Sequence, residues 1–143
     1  SKDTFDHFYF IEASIKMGVS YQIQGRINEG FYDTSVEQTL NREFCYWKEI
    51  RHRIFDIIKG KRLPLSCKIV LGLSKQSISY LIAHNNSSFR EEDIEGIYVN
   101  ILYDPKNLLI TTGISYKNFS LDKSLEYAFD EYLAKFLKEK AVI

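Results

Sequence analysis

Apolar side chains recur along this chain with two periods, and each change of period marks where strands should give way to helices. Residues 7–15, HFYFIEASI, are rich in aromatic and β-branched side chains. Residues 19–27, VSYQIQGRI, alternate instead, with Tyr21, Ile23 and Ile27 on one side and Gln22, Gln24, Arg26 and, just beyond, Asn28 on the other. A period of two is the mark of a strand with one buried face. Gly18 separates the two segments, so they are expected to pair as a hairpin.

The period then lengthens. Thr34 and Glu37 have capping-box spacing, in which the hydroxyl takes an amide of the first turn and the carboxylate reaches back to the cap. A long helix is therefore expected from near Ser35, with Val36, Leu40, Phe44, Trp47, Ile50, Ile54 and Ile57 as its apolar stripe and Gly60 as its stop. After Pro64, SCKIVLGL (66–73) is almost continuously apolar, as a strand central in a sheet should be. KQSISYLIAHN (75–85) reads as a short helix turning Ile78, Leu81 and Ile82 inward. Ser88 and Glu91 repeat the capping-box spacing and predict one or two helical turns. IYVNILY (97–103), DPKN (104–107) and LLITTGIS (108–115) form the clearest hairpin, because Pro105 presets the turn and Asn107 tolerates unusual backbone angles. A last helix is expected to be capped by Ser120 and to bury Leu121, Leu125, Phe129, Leu133 and Phe136.

The order is β-β-α-β-α-β-β-α. Consecutive strands joined by tight turns run antiparallel, so the expected fold is α+β: a mainly antiparallel sheet of about five strands with helices on one face. The other face should be partly wet. With 143 residues and neither a linker nor an internal repeat, the chain is expected to be a single domain over 1–143.

Charge narrows the function classes. Nineteen Lys plus Arg balance nineteen Asp plus Glu, so no global field draws the protein onto nucleic acid or an anionic membrane. An electrostatic partner would need a local patch. Cys45 and Cys67 make no disulfide framework, and free thiols point to a reducing cytoplasm. No apolar run reaches the roughly 18 to 20 residues that span a bilayer, so no membrane association is expected. The chain starts at Ser1 without Met, and a native N-terminal segment is expected to precede it.

Local bias supplies two candidate surfaces. In YWKEIRHRIFDIIKGKRLPLSCK (46–68), Lys48, Arg51, Arg53, Lys59, Lys61, Arg62 and Lys68 oppose only Glu49 and Asp56. Such a ridge beside Tyr46 and Trp47 suits phosphate contact with base stacking, although cations near a helix C-terminus are also favoured by its dipole, and Trp47 fits the core stripe. The second surface is the polar row from Gln22 to Asn28, with Glu12 opposite it as the expected partner of Arg26 and with Tyr32 following. The wet side of an ordinary sheet is the favoured explanation of that row. Ten tyrosines favour a contact surface only weakly. Catalytic signatures are lacking: His7, His52 and His84 are scattered, and neither cysteine has metal-ligand spacing. No cofactor or metal is implied, and an enzyme is the less favoured reading.

FDHFYFIEASI, YQIQGRINEGFY, YWKEIRHRIFDIIKGKRLPLSCKIVL, TTGIS and FSLDKSLEYAFDEYLAKFL together resemble a small family of uncharacterised proteins from low-GC Gram-positive bacteria, catalogued as a domain of unknown function. The resemblance covers nearly the whole chain. It implies a bacterial intracellular domain, with a short N-terminal helix in its members that this chain lacks, and it lends no activity, cofactor or catalytic residue.

Two functional expectations follow. One is a non-enzymatic binding or regulatory module, acting on a protein partner or a second copy of itself through the sheet face and residues 26–33, with Arg26, Asn28 and Tyr32 as contacts. The other is nucleic-acid or phosphate binding through Lys48, Arg51, Arg53, Lys59, Lys61 and Arg62.

Overall fold

A computed structural model describes residues 4–33, 42–85 and 89–139. Alternation drives the first hairpin as expected: β1 (Tyr9–Lys16) pairs antiparallel with β2 (Ser20–Gln24), Ala13 facing Ile23 and Ile15 facing Tyr21. The apolar run becomes β3 (Ser66–Gly72), central in a five-stranded sheet of order β2-β1-β3-β4-β5. The late hairpin supplies β4 (Ile94–Tyr103) and β5 (Leu108–Tyr116), and every neighbouring pair is antiparallel. Its turn is held by local chemistry. Asp104 and Asn107 exchange backbone hydrogen bonds of 3.0 and 3.2 Å, while the Asp104 carboxylate accepts the amides of Lys106 and Asn107.

Helices pack on one face of this sheet. They are α1 (Trp47–Ile58), α2 (Lys75–His84) and α3 (Ser124–Glu139). Ala13 and Ile15 of β1, Leu71 of β3 and Ile97 and Val99 of β4 meet Ile54, Leu81, Leu125 and Phe129 in one core. Each of these side chains is at most 1% exposed, so each contributes near its full transfer free energy, about 1.5 to 3 kcal/mol for the larger ones. The α+β class, the five antiparallel strands, their succession along the chain and the central place of β3 are those the periodicity predicts.

Two local expectations are corrected. The first is the long helix expected from near Ser35 to Gly60, whose described part starts only at Trp47. Residues 42–46 are not helical, and Phe44 and Tyr46 form isolated bridges to Arg26 and Tyr9 instead. Ile27 and Cys45 donate to the carbonyls of Glu43 and Gly25, and Phe10 donates to Cys45. Those bonds to β1 and to the chain leaving β2 outweigh helical spacing, and Glu49 then caps the new helix by accepting the Tyr46 amide at 3.1 Å. Gly25 is required at this crossing, because a Cβ there would lie 1.9 Å from the Phe10 carbonyl oxygen. The expected cap at Thr34 and Glu37, with Val36 and Leu40, falls outside the described residues.

The second correction concerns the last helix, which begins at Ser124 rather than just after Ser120. The Asp122 carboxylate accepts the Ser124 amide at 2.9 Å, leaving Leu121 outside the stripe and 81% exposed. Leu137 completes the buried stripe, and Phe136 packs half-buried against the rings of Phe5 and Phe8. The helical turn expected within residues 88–96 is present. Ser88 is outside the described residues, and a single 3-10 turn, Glu91–Asp93, is held by Asp93 accepting the Arg90 amide at 2.8 Å.

Candidate functional site

The face of the sheet opposite the helices is open, and its two ends differ in chemistry. Strand register places Gln22, Ser14, Lys68, Leu102 and Leu109 in one row across all five strands. Lys16 and Ser66 stand opposite each other one step further along. Here the surface dips into a groove of about 670 Å³ lined by Ser14, Lys16, Ser66, Lys68, Leu102 and Leu109, with Asp104 and Asn107 of the turn at its end. That volume lies within the roughly 300 to 1,000 Å³ typical of ligand sites. The loop entering β3 is tied alongside, Leu65 donating its amide to the Lys16 carbonyl at 2.8 Å.

Both lysines are exposed, and among the described residues neither forms a salt bridge. The nearby Asp104 carboxylate is engaged by the amides of its own turn. Beside these cations lie two leucines on the outward phase of their strands, Leu109 being 53% exposed. Cys67 also borders the groove, but burial pushes its thiol up, so at neutral pH it is a thiol and a poor nucleophile. No histidine lines the groove to activate Ser14 or Ser66. The arrangement can neutralise an anion and cover an apolar group.

At the opposite end of the face, aromatic rings and arginines satisfy one another. Tyr9 lies 6.1 Å from Phe44 and 5.5 Å from Tyr46, centroid to centroid. Arg42 sits 4.3 Å over the Tyr46 ring and bonds Glu49 at 2.5 Å, and Arg26 sits 5.0 Å over Phe44 while pairing with Glu43. Burial pushes the Tyr9 and Tyr98 phenols up, helped by Tyr46 for the first and by Glu95 for the second. Burial also raises the Glu49 carboxyl, but the Arg42 bond, the Tyr46 amide and nearby cations outweigh it and hold the group below its ordinary value. The cavity here is only about 80 Å³.

The residues singled out from sequence scatter over the molecule. Arg26 pairs with Glu43, not with Glu12; Glu12 stands opposite Gln24 and Val70. Asn28 and Tyr32 are exposed, and Tyr32 packs edge-on against Phe31 at 5.0 Å. The basic ridge is divided. Arg51 pairs with Asp6 at 3.1 Å, and Lys59 pairs with Asp56 at 3.0 Å. Lys48 and Arg53 are exposed, but five residues apart on a helix they point about 140° from one another. Lys61 and Arg62 are exposed in the following loop. Trp47 is 6% exposed and belongs to the core, which removes it as a stacking platform.

Sequence reasoning missed Lys16, Leu102 and Leu109, and counted Lys68 only as one more charge. A signal existed. Leu102 and Leu109 occupy the phase that carries Asn100 and Thr111 on the same strands, where an open face should be polar.

The chain belongs to DUF5721, a family of unknown function, whose model matches residues 1–143. No curated protein and no solved structure matches it. Among the described residues no helix is long and apolar enough to cross a membrane, and no three histidine, cysteine or acidic side chains stand together as metal ligands.

Proposed function

We propose that this protein is a non-enzymatic binding module of the bacterial cytoplasm that takes a small, partly apolar anion in the groove at the Lys16 and Lys68 end of its open sheet face. The observation that carries this reading is the juxtaposition of two lysines that form no salt bridge among the described residues with two outward-phase leucines on the neighbouring strands. Exposed cations without partners retain their charge for a ligand, and leucines on a wet face gain by being covered. A carboxylate or phosphate ester with a short hydrocarbon tail satisfies both. The cytoplasmic assignment draws on the two free thiols, Cys45 and Cys67, and on the family resemblance. Nucleic-acid binding along residues 48–68 draws less support, since Arg51 and Lys59 are engaged with Asp6 and Asp56.

The test is calorimetric titration with octanoate, octyl phosphate, neutral octanol and inorganic phosphate. At least one of the two amphiphilic anions should bind about tenfold more tightly than both octanol and phosphate, a difference of about 1.4 kcal/mol. Comparing the two anions tells carboxylate from phosphate. Equal weak binding of all four would overturn the reading, as would undiminished binding by the Lys16→Glu/Lys68→Glu double variant.

A further inference from the structure

The two edges of the sheet are unlike. The β2 edge is five residues long, and the chain leaving it is engaged by residues 43–45. The β5 edge runs for nine residues, LLITTGISY, without a charge, a proline or a partner strand beyond β4 among the described residues. Soluble proteins blunt such edges with lysines, prolines, bulges or a covering element, because a long uncharged edge templates pairing with another chain. β5 itself has no lysine, proline or bulge, and although α3 touches its helix side, where Asp130 accepts the Thr112 hydroxyl at 2.6 Å, no backbone bond to the Thr112 amide or carbonyl is formed there among the described residues.

Hydrogen-bond phase identifies which of its groups face outward. Asp104 and Asn107 close the hairpin as a hydrogen-bonded pair, so bonded pairs alternate from there and β4 takes Leu109, Thr111, Gly113 and Ser115. The Ile97 carbonyl fits this phase, since it accepts from Leu73 on the far side of β4 and Ile97 stands opposite Ile114. Leu108, Ile110, Thr112 and Ile114 therefore direct their amides and carbonyls away from the sheet.

We propose that this edge pairs with the β5 edge of a second copy, antiparallel about a two-fold axis at Thr112, to make one continuous ten-stranded sheet. In that register Leu108 faces Tyr116 and Ile110 faces Ile114 of the other copy, so the outward groups meet in bonded pairs and roughly eight to ten backbone hydrogen bonds form. A strand that pairs with itself brings each charge near a like charge, and β5's own residues carry none, the nearby Asp130 of α3 being held on the helix side by the Thr112 hydroxyl. Exposed apolar side chains also collect at both ends of this strand. Leu108 is 66% exposed at one end, and Phe119, just beyond the other, is 89% exposed. Antiparallel pairing lays one end on the other, covering both twice. The pairing shares β5 with the groove, which Leu108 and Leu109 also line, but it uses none of the groove's lysines, which lie on β1 and β3.

The experiment measures mass by light scattering across protein concentration and amide exchange in β5 by NMR. The wild type should run as two chains, with slow exchange at Ile110, Thr112 and Ile114. Leu108→Pro removes an outward amide that β4 does not use, and Thr111→Lys sets two lysines near each other across the axis. Both should run as one chain with an unchanged circular-dichroism spectrum and fast exchange at the three amides. The proposal is overturned if the wild type stays a single chain up to about 100 μM, or if folded Thr111→Lys remains a pair with its protection intact. Should Leu108→Pro fail to fold, Thr111→Lys and the wild-type exchange pattern still decide.

Discussion

The two ends of the open sheet face carry similar residue types and put them to opposite uses. Around Tyr9, Phe44 and Tyr46, each arginine has both a carboxylate and an aromatic ring of its own chain: Arg42 with Glu49 and Tyr46, Arg26 with Glu43 and Phe44. Among the described residues the cations at Lys16 and Lys68 pair with neither, and their neighbour Leu109 is exposed. A charge whose field is consumed within the chain serves the fold. One left unneutralised beside exposed hydrocarbon contributes little to folding and remains available to an anion. That contrast, more than the density of basic residues along the sequence, separates scaffold from site.

The largest effect should come from the paired end. Trp47 opens α1, its amide donating to the Phe8 carbonyl at 2.9 Å and its ring lying 6.0 Å from Phe10. Trp47→Ala empties a buried site and should cost about 3 to 5 kcal/mol in urea unfolding, a large part of a typical domain's stability of about 5 to 15 kcal/mol. A loss below about 1 kcal/mol would mean that the tryptophan does not anchor this end.

Arg42→Ala should cost less, about 1 to 2 kcal/mol, because its side chain is 12% exposed and loses a ring contact along with an ion pair. The pH dependence has a definite sign. Glu49 is held below its ordinary value in the folded protein, so its share of stability is present above the unfolded glutamate pKa and disappears as pH falls through the lowered folded one. The penalty of Arg42→Ala should therefore be larger near pH 7 than near pH 3. Equal penalties at both would leave only the stacking on Tyr46 as Arg42's contribution.

Legibility in the sequence followed the range of the interaction. The turn from Asp104 to Asn107 depends on atoms within four residues, and its place could be read directly from Pro105 and Asn107, although the Asp104 carboxylate that holds it was not singled out. The central position of β3 followed from an unbroken apolar run. The start of α1 did not, because Phe44 and Trp47 stand at helical spacing while Gly25 and Phe10, far away in sequence, bind the backbone of Cys45 in a non-helical form. Leu121 failed for a local reason: Ser120 and Asp122 can both cap, and the carboxylate of Asp122 takes the Ser124 amide. The groove was the hardest to see. Lys16 and Lys68 become neighbours only through the register of β1 with β3, and no spacing within either segment reveals it. Half of the site was nonetheless readable, since outward leucines on an otherwise polar face are visible in the alternation alone.

The smallest effect on stability should come from the unpaired end, and it tests the comparison most directly. Lys16→Glu and Lys68→Glu break no salt bridge among the described residues and replace exposed side chains, so each should shift the unfolding free energy by no more than about 0.5 kcal/mol, as for ordinary surface changes. Arg26→Ala at the other end should do as little, its ion pair with Glu43 being well exposed on both sides. The three variants should differ in binding. Octanoate or octyl phosphate, whichever the wild type takes, should bind Arg26→Ala with unchanged affinity and each lysine variant at least about tenfold more weakly, because an attractive charge has become repulsive beside the anion. A salt titration adds a control: the wild-type affinity should fall as ionic strength rises, while the residual affinity of the lysine variants should not. If Arg26→Ala loses the ligand and the lysine variants keep it, the assignment is inverted and the paired end is the site.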